Sequence, residues 1–116
     1  KAILSVCKYR CSQIFCSALP VAYCQTEPIY WESFARVILE ALYESTLYAG
    51  MLNMIEHQSN IVYLTLVGGG AFGNEEYWII ESMQKAFKKF KNVPLDVRIV
   101  SYGKSNKNIQ QLLQDL

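Results

Sequence analysis

A run of glycines between a predicted strand and a predicted helix constrains this chain more than any other feature of its sequence. Residues 61–67 are β-branched, aromatic or aliphatic, a composition typical of a buried strand. Residues 75–91 carry apolar side chains at helical spacing. A strand that leads through glycines into a helix brings exposed backbone N–H groups to the positive end of that helix, an arrangement that binds phosphate. The four glycines are Gly68, Gly69, Gly70 and Gly73.

The same glycines have a simpler interpretation, because a tight turn from strand to helix also needs glycine wherever φ is positive. Four glycines within six residues exceed the needs of one turn, so we favour a ligand-binding loop. It is not a Walker loop, since no Lys-Ser or Lys-Thr pair follows the glycines. A dehydrogenase-type dinucleotide loop is followed, about twenty residues later, by an acidic residue at the end of the next strand, which binds the ribose. Asp96 begins the next predicted strand instead of ending it, so this type of loop is also disfavoured.

Composition and charge limit the classes of function. The 116 residues suffice for one domain with one core, and 52% hydrophobic against 18% charged residues indicates a globular chain. A formal net charge of +1 gives no reason to expect nucleic acid as a partner, and the lysines between positions 85 and 91 are expected to form the solvated face of a helix. No apolar run approaches the roughly 20 residues of a membrane span, so no membrane partner is expected either.

The four cysteines, Cys7, Cys11, Cys16 and Cys24, lie in the first quarter of the chain and form no C-x-x-C pair. Since the sole histidine, His57, is far from them in sequence, we expect no metal site. Cys16 and Cys24 flank an apolar stretch. We expect them to be small buried residues of a protein from a reducing compartment, which is the cytoplasm or alternatively the nucleus.

Predicted strands and helices alternate along the chain. A strand over residues 12–18 ends at Leu19-Pro20, and an apolar run over residues 2–6 is a further candidate strand. There follow a long helix over 31–54, the strand over 61–67, the helix after the glycines, a strand over 95–101 and a short helix over 108–116. This order predicts an α/β fold with right-handed crossovers and a mainly parallel sheet covered by helices.

The two longer helices are each predicted to bury one face. In the helix over 31–54 this stripe comprises Phe34, Val37, Ile38, Ala41, Leu42, Ser45, Tyr48, Ala49 and Leu52. In the helix after the glycines it comprises Trp78, Ile79, Met83, Ala86, Phe87 and Phe90. Asn74 is the expected N-cap of this second helix, with Glu75 and Glu76 in its first turn.

In an open α/β sheet, ligands bind beyond the carboxyl ends of the strands. Three segments leave such ends here, residues 17–21, 68–74 and 102–103, and they converge on one rim if the strands are parallel. Phe72 and Tyr102 offer flat surfaces for a ribose or a base, with ordinary core packing as the alternative. The candidate ligand-binding residues are Ser17, Leu19, Pro20, Gly68, Gly69, Gly70, Ala71, Phe72, Gly73, Asn74 and Tyr102.

The order and spacing of these motifs resemble the macrodomain, a module that binds ADP-ribose. Residues 17–23 resemble the strand end that in this family reads Ala-Val-Gly-Pro, and residues 37–49 are similar to the helix that follows it. Residues 67–74 stand where the family has its second phosphate loop, and residues 95–102 where it has its last strand.

The resemblance implies a three-layer α/β/α fold with a mainly parallel, mixed sheet, of which residues 1–116 are the single domain or its C-terminal part. The family's first strands, its adenine-recognising aspartate and its first glycine-rich loop have no counterpart before Ser17. By the same resemblance, residues 69–73 would wrap the diphosphate of ADP-ribose. Phe72 would then lie near the distal ribose and Tyr102 near the adenosine half.

The function expected from this resemblance is binding of ADP-ribose or a related nucleotide diphosphate, with ADP-ribosylated protein as a further partner and without a cofactor. The enzymatic alternative is an ADP-ribosyl hydrolase whose catalytic residues lie mostly upstream. Glu75 and Glu76 stand near the loop, but carboxylates at a helix start are more typical of caps than of bases. A scaffold or interaction domain without a ligand is the third alternative.

Overall fold

Two parallel strands and three helices form the regular secondary structure of residues 10–104 and 106–115, the part of the chain that the computed structural model describes. The candidate strand over residues 2–6 lies outside these residues. The predicted α/β fold with parallel strands is confirmed at this level of detail. The helices are α1, Glu32–His57, α2, Glu76–Lys89, and α3, Lys107–Gln114. The strands are β1, Ile61–Leu64, and β2, Asp96–Ile99, and two short 3-10 turns, Val21–Tyr23 and Pro28–Tyr30, precede α1.

The sheet exposes one of its faces in the described part of the chain. β1 pairs in parallel with β2, with Val62 opposite Val97. Val62 and Leu64 are buried, whereas Ile61 and Tyr63 on the other face are exposed. The prediction of a wholly buried strand over the apolar run is therefore wrong. The strand is shorter, and its side chains alternate between the core and solvent because α1 packs against one face.

The helices α1 and α2 lie side by side and run in the same direction. Arg36 pairs with Glu81 at 2.5 Å, Lys85 pairs with Glu40, and Lys89 pairs with Glu44. Each pair lies four residues further along both helices than the one before, so the helices are parallel. Since α2 carries the chain from the end of β1 to the start of β2, both helices begin at the carboxyl ends of the strands. We call this edge of the molecule the carboxyl rim.

The buried face of α1 differs from the predicted one. Six residues of the predicted stripe are exposed, namely Ala41 and Ser45 together with Phe34 at 52%, Val37 at 60%, Tyr48 at 42% and Leu52 at 55%. Leu42 of the predicted stripe is buried, and the other buried residues of the helix are Ala35, Leu39, Tyr43 and Leu47. Apolar side chains occur nearly all round this helix, so their spacing does not set its buried face. The contacts with α2 and β1 set it.

In α2 the predicted inner face is confirmed for Trp78, Ile79, Met83 and Ala86, which are buried. Apart from Tyr77, the exposed side chains of this helix are charged, so its sequence has one dominant apolar face. Phe90, at the C-cap, is buried as well.

Residues 12–18 form no strand, contrary to the prediction. Phe15 is 90% exposed, Cys16 is exposed and Cys24 is half-buried, so neither cysteine is the small core residue that the sequence suggested. Ser12 Oγ lies 3.3 Å from Asn53 Oδ1 near the end of α1, and Ala18 is buried at the carboxyl rim. An apolar run becomes a strand only where a neighbour supplies hydrogen bonds, and β1 takes β2 as its partner within the described residues.

The contact between α1 and β1 depends on a glycine in the helix. A Cβ atom placed on Gly50 would lie 2.5 Å from Cγ2 of Val62, a distance that real Cβ atoms do not adopt. The missing side chain therefore allows the strand to approach the helix, and its cost in helix propensity is offset by this packing.

We predict that Gly50→Ala destabilises the protein by about 1–3 kcal/mol, because the added methyl group overpacks the contact with Val62. In a Val62→Ala background the clash is removed, and the same substitution should then be neutral or stabilise by up to about 1 kcal/mol through helix propensity. Urea unfolding of the four proteins of this double-mutant cycle measures both values. Equal effects in the two backgrounds would contradict the interpretation.

Candidate functional site

Two turns shape the loop between β1 and α2. In the first, the Gly69 N–H donates to Leu66 O at 3.4 Å, and in the second the Gly73 N–H donates to Gly70 O at 3.0 Å. Gly68 is the third residue of the first turn and has a φ of +85°, a conformation that side chains disfavour. The Asn74 N–H donates to Gly68 O at 2.9 Å and closes the loop on itself.

The segment before α1 packs directly on this loop. A Cβ atom on Gly68 would lie 2.4 Å from the Ala18 Cβ, and one on Gly73 would lie 2.7 Å from the Ala22 Cβ. The Ala22 N–H donates to Phe72 O at 2.9 Å. The structure therefore brings together the first two of the three segments that were predicted to converge, and two of the glycines are required for that approach.

Asn74 is a buried clamp and not the predicted helix cap. Its side chain is 4% exposed, and its Nδ2 donates to Leu19 O at 2.8 Å and to Gly68 O at 3.1 Å. The N-cap of α2 is Glu75, which forms no side-chain capping bond. Since the Asn74 amide donates to two carbonyls of the protein, this residue positions the loop. Its Oδ1 is buried and has no partner among the described residues, and a direct ligand contact of Asn74 stays a prediction.

Tyr43 of α1 holds the backbone that leads from β1 into the loop, and it was not nominated as a site residue from the sequence. Its hydroxyl donates to Thr65 O at 2.8 Å and accepts from the Val67 N–H at 3.0 Å. Burial disfavours the phenolate and raises the pKa of Tyr43 to about 12, so this hydroxyl is a donor at neutral pH. The sequence feature that could have identified Tyr43 is its polar hydroxyl on an otherwise apolar helix face, because a buried tyrosine hydroxyl needs a hydrogen-bond partner.

Three successive backbone N–H groups of the loop remain without a partner among the described residues. They belong to Gly70, Ala71 and Phe72. Gly70 and Ala71 are exposed, and a Cβ atom on Gly70 would meet no other atom within 4 Å. Successive free N–H groups in an open loop are available as donors to an anion, and anion binding by this loop stays a prediction.

Aromatic and apolar surfaces flank these free N–H groups. Phe72 is half-buried and meets the ring of Tyr23 edge to face, with the ring centroids 6.1 Å apart. Core packing thus accounts for part of the Phe72 ring, and a ligand role for the remainder stays a prediction.

The third predicted segment reaches the same rim. A hollow of about 450 Å³ is lined by Thr65 and Leu66 after β1 and by Val100 and Tyr102 after β2. Tyr102 is fully exposed, so it is not a core residue. We call this space the rim hollow.

The other nominated residues, Ser17, Leu19 and Pro20, form hydrogen bonds within the protein, and only that of Leu19 reaches the glycine loop. Leu19 O accepts the Asn74 clamp, and Pro20 O accepts from the Tyr23 N–H at 3.1 Å. Ser17 is exposed, and its hydroxyl donates to Ala18 O at 3.0 Å. Their contact with a ligand remains a prediction.

The two carboxylates at the start of α2 have different surroundings. Glu76 Oε1 accepts from Asn108 Nδ2 at 2.6 Å and so links α2 to the first turn of α3. Glu75 is exposed. Both place negative charge at the positive end of α2, so an anion in the loop would rely on the loop N–H groups more than on the helix dipole.

Comparison of the chain with models of protein families, with curated proteins and with solved structures finds no match. Over the described residues, no helix combines the length and the apolar character needed to cross a membrane. Within the same residues, no group of three histidine, cysteine or acidic side chains is placed to hold a metal ion.

We predict that Tyr43→Phe lowers the free energy of unfolding by about 1–2 kcal/mol at neutral pH, because Thr65 and Val67 lose a buried hydrogen-bond partner. A raised pKa in the folded state means that the unfolded chain releases this proton first, from about pH 10. The free energy of unfolding of the wild-type protein should therefore fall between about pH 10 and a pH of about 12. The variant should lack the part of this decrease that comes from ionisation of Tyr43.

The measurement is urea unfolding at several alkaline pH values. Tyr30→Phe, which removes the hydroxyl of an exposed tyrosine, is the matched control and should leave the pH dependence unchanged. A stability difference between wild type and Tyr43→Phe that stays constant from neutral pH to pH 12 would exclude the proposed state of this hydroxyl.

Proposed function

We propose that this chain binds ADP-ribose or a related nucleoside diphosphate through the loop of residues 68–74. The observation that carries the proposal is the set of three successive N–H groups, at Gly70, Ala71 and Phe72, that have no partner among the described residues. Backbone N–H groups that are held in place before an anion arrives bind phosphate without a cost of reorganisation. The clamp by Asn74 and the support by Tyr43 supply that rigidity.

The surroundings of the loop favour a ligand larger than inorganic phosphate. At one end of the loop, Leu66 lines the rim hollow, whose volume of about 450 Å³ suits a group of nucleoside size. At the other end, Phe72 packs against Tyr23 and keeps part of its ring accessible. A diphosphate that carries a nucleoside on one side and a sugar on the other matches this arrangement. Its diphosphate would lie on the loop, its nucleoside in the rim hollow and its sugar beside Phe72.

The proposal includes the finer architecture of a three-layer, macro-like α/β/α domain. Its support is the outer face of the sheet, where Tyr63 is 62% exposed beside Ile61. Such aromatic and aliphatic side chains on one sheet face are typical of a face that another layer covers. The direction of residues 12–18, which run from the end of α1 to the carboxyl rim, is also that of a strand parallel to β1.

Binding, and not hydrolysis, is the function that the described residues favour. Glu76 is engaged by Asn108, and His57 lies at the last residue of α1, at the end of the molecule opposite the carboxyl rim. A hydrolase needs a base or a water-orienting group within hydrogen-bond reach of the reacting centre. Of the described carboxylates, Glu75 stands nearest in sequence to the loop, and it serves as the N-cap residue of α2.

We predict that Gly70→Glu weakens ADP-ribose binding at least about 10-fold, equivalent to about 1.4 kcal/mol, because it places a carboxylate where phosphate would bind. The fold should be retained, since the space around Gly70 is open. Isothermal titration calorimetry measures the affinity, and thermal unfolding checks the fold.

Two control variants separate charge from shape. Gly70→Ala fills only open space and should bind almost as wild type does. Ser59→Glu adds the same charge at an exposed position before β1, at the opposite end of the strand, and should not weaken binding. Absence of heat with the wild-type protein at millimolar ADP-ribose, or equal affinity of Gly70→Glu, would remove the proposal.

A further inference from the structure

The rim hollow has a charge that the diphosphate loop does not explain. Lys104 lies on its wall, and no acidic residue lines it among the described residues. Among the described residues, four cations have a carboxylate partner, namely Arg36, Lys85, Lys89 and Arg98, and Lys104 is one of five that have none. Within the described residues, Lys104 has no carboxylate at ion-pair distance. The hollow is therefore electropositive.

Neutral hydrogen-bonding groups surround this cation. Thr65 brings a hydroxyl group to the wall of the hollow, and Asn106 brings an amide. The Ser101 hydroxyl also lines the hollow, but it donates to Lys104 O at 3.4 Å. The Asn106 Oδ1 accepts from the Asn108 N–H at 2.8 Å, which leaves its NH₂ group as a donor towards other partners. The first turn of α3, which begins at this wall, contains no acidic side chain. A lysine with hydroxyl and amide donors around it is typical of a site for a phosphate group.

The hollow also has an apolar part that would hold the organic portion of such a ligand. Leu66 and Val100 line it, and the exposed ring of Tyr102 stands at its mouth. A free phosphate ion would leave this surface unused. A nucleoside that carries its own phosphate fits both the volume and the mixture of surfaces.

We propose that the rim hollow accepts a nucleoside bearing a phosphomonoester, and that Lys104 is the specificity-determining residue that contacts this phosphate. This inference deepens the proposed function: the ligand would be an ADP-ribose-type molecule with a further phosphate on the ribose of its nucleoside half. The phosphate in the hollow is separate from the diphosphate in the loop of residues 68–74.

The first experiment compares ADP-ribose with ADP-ribose 2′-phosphate by isothermal titration calorimetry at low salt. The additional phosphate should increase the affinity about fivefold, the upper range for an exposed ion pair. The increase should disappear in Lys104→Gln and persist in Lys107→Gln, a matched control on an exposed lysine that does not line the hollow. It should also shrink as the salt concentration rises. Equal affinities for the two ligands, or an increase that survives Lys104→Gln, would overturn the inference.

The second experiment uses probes that lack the diphosphate, so that failure of this inference and failure of the proposed function are distinguishable. Adenosine, 2′-AMP and 3′-AMP are titrated and followed by NMR chemical shifts. Binding of a monophosphate that depends on Lys104 and is unaffected by Gly70→Glu supports the hollow even if ADP-ribose does not bind. ADP-ribose binding that depends on Gly70, without preference for either monophosphate over adenosine, refutes the hollow alone. Absence of binding by every probe refutes both.

Discussion

The hydrogen bonds of the Asn74 side chain hold the two halves of the carboxyl rim together. One Nδ2 group joins the carbonyls of Leu19 and Gly68, which are far apart in sequence, and it does so from a position that is almost closed to solvent. Loss of one partner in a buried hydrogen bond costs about 1–3 kcal/mol, more than most exposed ion pairs contribute. Separation of the segment before α1 from the glycine loop would therefore cost the hydrogen bond between Asn74 and Leu19.

The direction of the helices makes this local clamp useful for function. Because α1 and α2 are parallel and α2 links β1 to β2, the starts of both helices and the ends of both strands lie at one edge. Tyr43 reaches that edge from within α1 and holds the backbone at Thr65 and Val67. The free N–H groups of Gly70 to Phe72 thus belong to a loop that is anchored at both ends, and the rim hollow opens beside it.

Local sequence patterns predicted some of this arrangement and failed where several answers were compatible with the same pattern. The inner face of α2 was predictable because the exposed residues of this helix, apart from Tyr77, are charged. α1 is apolar nearly all round, so the periodicity of its side chains indicated a helix and its approximate length but selected the wrong face. Residues 12–18 have the composition of a strand, yet pairing is a property of two segments, and no described strand pairs with this one. Asn74 is a good N-cap by residue type, but its side chain turns towards Leu19 instead.

By itself, the sequence determined the order of strands and helices from α1 to α3, the parallel relation of the strands and the position of the glycine loop between β1 and α2. These follow from short-range properties: hydrophobic spacing, the conformational limits of proline and glycine, and the length of the connections. Only the tertiary structure decided which face of α1 is buried, which glycines are required and which N–H groups remain free. Each of these depends on contacts between residues distant in the chain, such as Gly68 with Ala18 or Gly50 with Val62, and a local pattern of side chains does not encode such distances.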